Sequence, residues 1–400
     1  MKPEVRIASI GNVDSAKTTT ISVLTNKLLD NGRGSARSKI LKHPHEQSSG
    51  RTSSITQTYI ETPHNIFGFI DLAGHEKYLK TTLSGLNGCY IDYAMITIGA
   101  DRGIIGMTKE HLTLAIVLKL PILVVITKLD IATNHKLEKI RNNLMKLFAH
   151  PLAGNKKIKF INDSNIEVVA AAPFSDTTYV PIFEVSNVTG DNINNLRKFV
   201  FNLKPYKEIG NRENKNPLFK IDDTFKIDGH GIVLSGIVQD GIIHKGQKLY
   251  IGPFGGKFID VVVKSIHDNF KRDILQLESG QNGCVNIKVL HPKKHTLKRN
   301  RIKQGIILIA NPYSIRRFEA NITILHHPTT IKTNYEPVIH CGSVRQAARI
   351  CKMDHELVRA GDSANVTFEF KFKPEFIQLN SGIVFREGNT KGIGKIIKIH

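Results

Sequence analysis

The chain has 400 residues, with 56 Lys+Arg against 35 Asp+Glu, and so carries a formal charge of +21 at pH 7. It contains no apolar run of about 20 residues and no charged-then-apolar leader at Met1, which argues against a membrane-spanning or exported protein and predicts a cytoplasmic one of two or three domains. Its four cysteines, Cys89, Cys284, Cys341 and Cys351, form no C-x-x-C pair, so they read as reduced, mostly small core residues and not as a disulfide framework. The basic excess concentrates polyanions and makes nucleic acid the expected partner; the alternative is a basic enzyme whose charge serves solubility.

Val5 to Ile10 alternates like a buried strand, and Lys17 to Leu29 places Ile21, Leu24 and Leu28 at helical spacing. Between them lies Gly11-Asn12-Val13-Asp14-Ser15-Ala16-Lys17-Thr18, followed by Thr19 in the helix. A loop entering a helix in this way can cradle a polyphosphate on its backbone N–H groups, with Lys17 reaching the terminal phosphates and Thr18 a Mg²⁺ ion. Ala16 departs from the G-x-x-x-x-G-K-[ST] pattern, in which the second position is glycine. If that position needs a positive φ, alanine costs about 1–2 kcal/mol.

Asn26 to Thr58 lacks sustained periodicity and is rich in Gly, Ser, Arg and His. Long segments of this kind are either functional or disordered. Its place after a phosphate loop suggests a segment ordered by a γ-phosphate and Mg²⁺, with the Ser54 hydroxyl on the metal. Asn65 to Asp71 reads as a strand that ends in a carboxylate, followed by Leu72-Ala73-Gly74-His75. Asp71 can hold the metal through water, the Gly74 N–H can meet the γ-phosphate, and His75 can position an attacking water; a structural histidine is the alternative.

Tyr93 to Gly99 and Ile122 to Thr127 are further apolar strands, separated by a helical pattern from Met107 to Leu118, which predicts alternating β and α elements and a parallel sheet. The second strand runs into Thr127-Lys128-Leu129-Asp130. A carboxylate at Asp130 can accept two hydrogen bonds from guanine while the Lys128 stem packs on the ring, a combination that rejects adenine by up to ~10⁴-fold. Pro181 to Val185 leads into Ser186-Asn187-Val188, a turn whose backbone can meet the base oxygen, and a helix over Asn192 to Leu203 closes the domain.

In this order the motifs resemble the translational GTPases related to elongation factors Tu and 1-alpha. The resemblance implies GTP, GDP and Mg²⁺ as ligands, Gly11 to Thr18 as phosphate loop, Ser54 and Asp71 to Gly74 as switch residues, and His75 as the catalytic histidine. Thr127 to Asp130 and Ser186 to Val188 become the guanine readers. A nearer resemblance is to the GTP-binding protein 1 and 2 family of eukaryotic cytoplasm. It is carried by Asp30 to Gly34 with Ala36-Arg37, Ser49 to Ser54, Asp71 to Thr82, Gly106 to His111, Leu325 to Ile331, His340 to Ser343 and Phe385 to Gly388. Longer members of that family have sequence before the GTPase domain that this chain lacks. Ser54 stands where the wider superfamily mostly has Thr, Ala73 where it has Pro, and Thr127 where it has Asn. Asp14 is usual in such factors and reads as loop packing, with a monovalent ion as the alternative.

Lys204 to Asn216 is charged, polar and bounded by prolines, as in a linker. Beyond it come glycine-punctuated runs: Leu218–Ile227, Gly231–Val238, Gly246–Ile251, Lys257–Ile266, Gly283–Val289 and Gly305–Ile309, then Phe318–His326, Tyr335–Cys341, Gln346–Met353, Asn365–Phe372, Gly382–Glu387 and Gly392–Ile399. Their spacing predicts barrels. The expected architecture is an α/β GTPase (P-loop) domain over 1–207, followed by all-β barrel domains over 208–312 and 313–400. In the resembled factors all three grip aminoacyl-tRNA, which implies aminoacyl-tRNA and the ribosome as partners, leaves room for an exchange factor, and implies a monomer without membrane attachment. A protein partner of a release or RNA-decay factor, an RNA-binding regulator with a weakened nucleotide site, and a metabolic GTPase are the alternatives. Basic clusters at His291 to Lys303, Arg316-Arg317 and Lys156-Lys157-Lys159 are candidate phosphate contacts or solvated loops. His326, His327, His340, Cys341 and Cys351 fit no metal-ligand spacing.

Overall fold

The computed structural model describes residues 2–40, 55–75, 90–150, 153–171, 174, 179–206, 216–227, 229, 231–293, 295–303, 305–387 and 390–400. These form two compact units, one built from the described residues up to Tyr206 and one from Asn216 onward.

The first unit is a seven-stranded sheet in the order β2 (Thr56–Glu61), β3 (Ile66–Asp71), β1 (Glu4–Gly11), β4 (Tyr93–Gly99), β5 (Ile122–Thr127), β7 (Tyr179–Glu184), β6 (Lys157–Ile161). The strands from β3 to β6 are parallel, and all but the edge strand β6 are almost wholly buried, which is why β4 and β5 read as continuous apolar runs. The sheet is nevertheless mixed, contrary to the parallel expectation. β2 pairs antiparallel to β3 because only four residues, Thr62 to Asn65, join them, and a link that short permits only a hairpin. Thr62 closes this turn, its N–H and hydroxyl both donating to the Asn65 carbonyl, at 2.9 and 2.8 Å.

Helix α1 (Lys17–Asn26) stops three residues short of the predicted end because Lys27 adopts a left-handed conformation, φ 58°. Leu28 and Leu29 are left half-exposed. Residues 30–40, read from sequence as irregular loop, are held by side chains. Asp30 accepts bonds from the N–H groups of Gly32, Gly34 and Ala36, at 3.0, 3.1 and 2.8 Å, before a single helical turn, α2 (Ser35–Ser38). This is the local competition between Asx side chains and regular backbone bonding, which has no hydrophobic period.

Three elements between Asp130 and Tyr179 are additional to the sequence expectation. After α3 (Gly106–Val117) come α4 (Asn134–Phe148), β6 and α5 (Ile166–Ala171). Helix α4 buries Leu137, Ile140, Leu144 and Phe148, a stripe at spacings of three and four. In β6, Lys157 and Lys159 alternate outward with partly buried Ile158 and Phe160, so this basic cluster is the solvent face of an edge strand, a common guard against edge-to-edge pairing. Helix α6 (Ile193–Phe201) packs Ile193, Leu196, Phe199 and Val200 into the core beneath β1, β4 and β7.

The second unit holds two closed six-stranded rings. The first runs Lys248–Phe254, Ile307–Ile309, Leu218–Ile227, Gly231–Asp240, Asn282–Val289, Lys257–Asp268 and back to Lys248–Phe254. The second runs Arg317–His326, Ser363–Phe370, Val344–Met353, Val338–Cys341, Gly382–Glu387, Thr390–Ile399. Each ring encloses its own apolar core, and Leu218, Ile307 and Ile309 of the first pack with Phe376, which follows a strand of the second. The predicted strand at Gly246 begins only at Lys248, since Gly246 (φ 86°) turns the chain. Of the cysteines expected to be core residues, Cys341 is buried and Cys284 and Cys351 are half-buried; Cys89 lies outside the described residues.

Candidate nucleotide site

The parallel strands of the first unit deliver their polar ends to one rim. Ser9 on β1, Asp71 on β3, Thr97 on β4 and Thr127 on β5 are each at most 1% exposed and lie at the carboxyl ends of adjacent strands. Above them Gly11 (φ 148°) leaves β1 where a Cβ would lie 2.2 Å from the Thr97 carbonyl, so only glycine fits. The loop then takes two further left-handed residues, Asp14 (φ 61°) and Ala16 (φ 63°), and enters α1. Ala16 is the N-cap of that helix and supplies no side-chain acceptor, so the first-turn N–H groups are uncapped by side chains.

Lys17 is folded back under the loop. Its Nζ donates to the Asn12 carbonyl at 2.6 Å and the Gly11 carbonyl at 3.2 Å, and burial pushes its pKa down to about 8, against the pull of Asp71 and Asp14. The next residue, Thr18, donates its hydroxyl to Asp71 Oδ2 at 2.6 Å. A hydroxyl and a carboxylate meeting beside a buried lysine form a hard-oxygen donor set that suits Mg²⁺. Gly74 closes the site from β3: a Cβ there would stand 2.5 Å from Lys17 Nζ and 2.6 Å from the Gly11 carbonyl oxygen. His75 follows it and is exposed. Ser54 lies outside the described residues.

Asp130 and Ser186 meet on the other side. Ser186 donates its hydroxyl to Asp130 Oδ1 at 2.6 Å and accepts the N–H groups of Val188 and Thr189 at 3.2 and 3.1 Å, which rigidifies both predicted base-reading turns at once. Asn187 is buried and donates to the Thr20 hydroxyl of α1 at 3.0 Å. Thr127, predicted beside the base, is fully buried and donates to the Ser15 carbonyl at 3.0 Å, tying the Gly11–Thr18 loop to the end of β5. Asn12, Val13, Asp14 and Ala16 are partly exposed around the loop, Ser15 and Thr19 are buried, and Val188 is more than a third exposed.

With that geometry in view, the chain matches the family model of the Elongation factor Tu GTP binding domain over residues 2–206. The chain belongs to this GTPase family. It is 39% identical to GTP-binding protein 1 of Xenopus laevis, with 99% of this chain aligned to 63% of that protein. The chain thus spans under two thirds of that relative's length. Among solved structures its fold is similar to that of a bacterial selenocysteine-specific elongation factor, EF-Sec, at 19% identity and a TM-score of 0.74, covering 99% of this chain and 58% of that one. It is also similar in fold to the GTP-bound Ski7 GTPase-like domain of S. cerevisiae, at 14% identity and a TM-score of 0.77, covering 99% and 97%. The family is named for guanine-nucleotide binding, and the rim just described is where an α/β sheet of this type places a ligand.

Several contacts of this elongation-factor-type domain were not read from sequence. His111, on α3, accepts the Gly11 N–H on Nδ1 at 3.1 Å from a fully buried position. Asp101 accepts Lys128 Nζ at 2.8 Å, and Arg102 stands 3.3 Å from Asp14. The Asp30 N–H donates to the Asn187 carbonyl at 2.8 Å. His111 lies inside one of the stretches that carry the family resemblance, so it was visible as a position; its role depends on α3 packing beside β1, which spacing does not encode.

Proposed function

We propose that this chain is an elongation-factor-like GTPase of translation that binds GTP and Mg²⁺, hydrolyses GTP, and carries aminoacyl-tRNA to ribosomes, stalled ones included, as a cytoplasmic monomer. The observation that carries this reading is the joint beneath the loop, where Lys17 rests on loop carbonyls and Thr18 bonds Asp71. A buried ammonium whose charged form burial disfavours gains most from a nearby anion, and polyphosphate supplies one. On this reading Gly11 to Thr19 and Gly74 hold the phosphates. Lys128, Asp130 and Ser186 to Val188 hold guanine, with Thr127 acting through Ser15. Thr18 and Asp71, with Ser54, hold Mg²⁺, which would neutralise charge on the phosphates.

His75, exposed directly after Gly74, orients the attacking water. A group held beside the site but not yet engaged gives slow intrinsic turnover, and the ribosome completes the arrangement. A second reading, a GTP-gated protein partner of a release or RNA-decay factor, is favoured by the fold similarity to the Ski7 GTPase-like domain across nearly the whole of both chains.

The test is whether the protein with GTP and Mg²⁺ slows spontaneous deacylation of aminoacyl-tRNA, with GDP and uncharged tRNA as controls. The expected result is protection with GTP only, together with ribosome-stimulated turnover that falls at least ~10²-fold in His75→Ala at little change in GTP affinity. GTP binding without protection would favour the protein-partner reading. Absence of GTP binding would overturn both.

A further inference from the structure

We propose that Asp101 is a positioning residue for the nucleotide base, fixing the side chain of Lys128 and linking the base-reading turn to the phosphate loop. The proposal rests on the guanine-nucleotide reading above. It begins with the backbone: Lys128 is left-handed, φ 62°, at the start of the short turn Leu129–Ile131 that carries Asp130. A lysine stem has four rotatable carbons and loses much rotamer freedom when it must lie along one surface. Something has to hold its end.

Asp101 does so. Lys128 Nζ lies 2.8 Å from Asp101 Oδ2, with both side chains about a quarter exposed, at 27% each. The carboxylate is brought there by a tight turn after β4, in which the N–H of Gly103 bonds the Gly99 carbonyl at 2.8 Å and the N–H of Ala100 bonds the Thr127 carbonyl at 3.0 Å. Gly99 makes room for it, since a Cβ there would stand 2.5 Å from Asp101 Oδ1. That Oδ1 atom is buried and has no hydrogen-bond partner among the described residues. Lys128 is therefore the principal compensation for the carboxylate, as Asp101 is the anchor for Lys128. A partly buried carboxylate whose one oxygen rests on Lys128 and whose other has no hydrogen-bond partner among the described residues makes the pair interdependent.

The next residue faces the other way. Arg102 reaches Asp14 of the phosphate loop at 3.3 Å, while Lys136 of α4 bonds the Asp101 carbonyl at 3.3 Å. Residues 99–103 thus span from the base reader to the phosphate loop on the outer side, as the Thr127–Ser15 bond does on the inner side. The Lys128 stem can pack on any purine, whereas Asp130 discriminates by the guanine amine. Asp101 should therefore govern affinity for the base without governing its identity.

The experiment measures GDP and IDP affinities of the full chain carrying Asp101→Asn, Lys128→Met, and both substitutions. Asp101→Asn is expected to weaken GDP and IDP together by about tenfold, leaving their ratio within about twofold. Lys128→Met, which keeps an apolar stem but loses the anchored end, should fall similarly, and adding Asp101→Asn to it should change affinity less than about twofold. Asp101→Glu, which retains the charge, should recover part of the loss. Unchanged GDP affinity in Asp101→Asn, or single effects that multiply in the double variant, would overturn the proposal while leaving the nucleotide reading intact. A wild-type chain that binds neither nucleotide would overturn that reading and the proposal with it. If Asp101→Asn does not fold, Lys128→Met and Asp101→Glu decide: affinity unchanged in Lys128→Met overturns the proposal.

Discussion

At the scale of single residues, the Gly11–Thr18 loop carries a cost that glycine would remove. Ala16 sits at φ 63°, ψ 27°, where a Cβ crowds the following carbonyl by about 1–2 kcal/mol. The conditional reading from sequence is thereby resolved: the position does require a positive φ, and this chain supports it with an alanine. The surroundings over-determine the conformation, since Ser15 is bonded through both its N–H and its hydroxyl to the Asn12 carbonyl, and Thr127 holds the Ser15 carbonyl. Ala16→Gly should raise stability by about 0.5–1 kcal/mol, the relief of strain less the greater freedom glycine brings to the unfolded chain. A higher denaturant midpoint at unchanged m-value is the expected readout; a lower midpoint would mean that the Ala16 methyl contributes more by packing than its φ costs.

At the scale of elements, α3 is coupled to the loop through one imidazole. His111 Nδ1 accepts the Gly11 N–H, so the ring is neutral with its proton on Nε2. Burial, aided by the nearby Lys17 charge, pushes its pKa down to about 4 from 6.5. The native state therefore refuses a proton that the unfolded state accepts between these values. Stability from this group is present above about pH 6.5 and is lost as pH falls towards 4, by about 3 kcal/mol over the full window at 1.36 kcal/mol per unit. His111→Gln should lose some stability at neutral pH and show a shallower decline between pH 6.5 and 4. Parallel stability–pH curves for the two proteins would contradict a neutral buried His111. The helix itself was legible from its period; the bond was not, because it joins residues 100 positions apart.

At the scale of the molecule, the +21 charge is distributed over surfaces that differ in how free they are. Lys293, Lys298, Arg299, Arg301 and Lys303 are all exposed, with the Arg301 guanidinium 5.3 Å above the Phe254 ring. Arg316, Arg317 and Arg349 instead converge on Glu369, at 3.4, 3.1 and 3.7 Å, leaving two net positive charges in the group. Against burial, which raises it, the Arg317 and Cys351 hydrogen bonds and the Arg317 and Arg316 charges hold that carboxyl below its usual range. If such clusters contact RNA, each neutralised phosphate releases counterions. With about four phosphates engaged, tRNA affinity should fall roughly 10²-fold between 50 and 200 mM salt. A flat salt dependence would assign the charge to solubility.

Sequence alone determined the α/β domain followed by barrels, the buried parallel strands and the barrel strands, and it marked Gly11 to Thr18, Asp71 to Gly74, Thr127 to Asp130 and Ser186 to Val188 as candidate site stretches. These are legible because hydrophobic period and turn chemistry are local, written within a few residues of where they act. Tertiary structure decided what spacing cannot carry. β2 turned back antiparallel on β3, Asp30 organised a loop without periodicity, and Thr127 spent its hydroxyl on Ser15. His111 and Asp101 came to bond Gly11 and Lys128 from separate stretches of chain. Each of these depends on which strands become neighbours. That order is set by burial across the whole sheet, which also brings the polar ends of β1, β3, β4 and β5 to one rim.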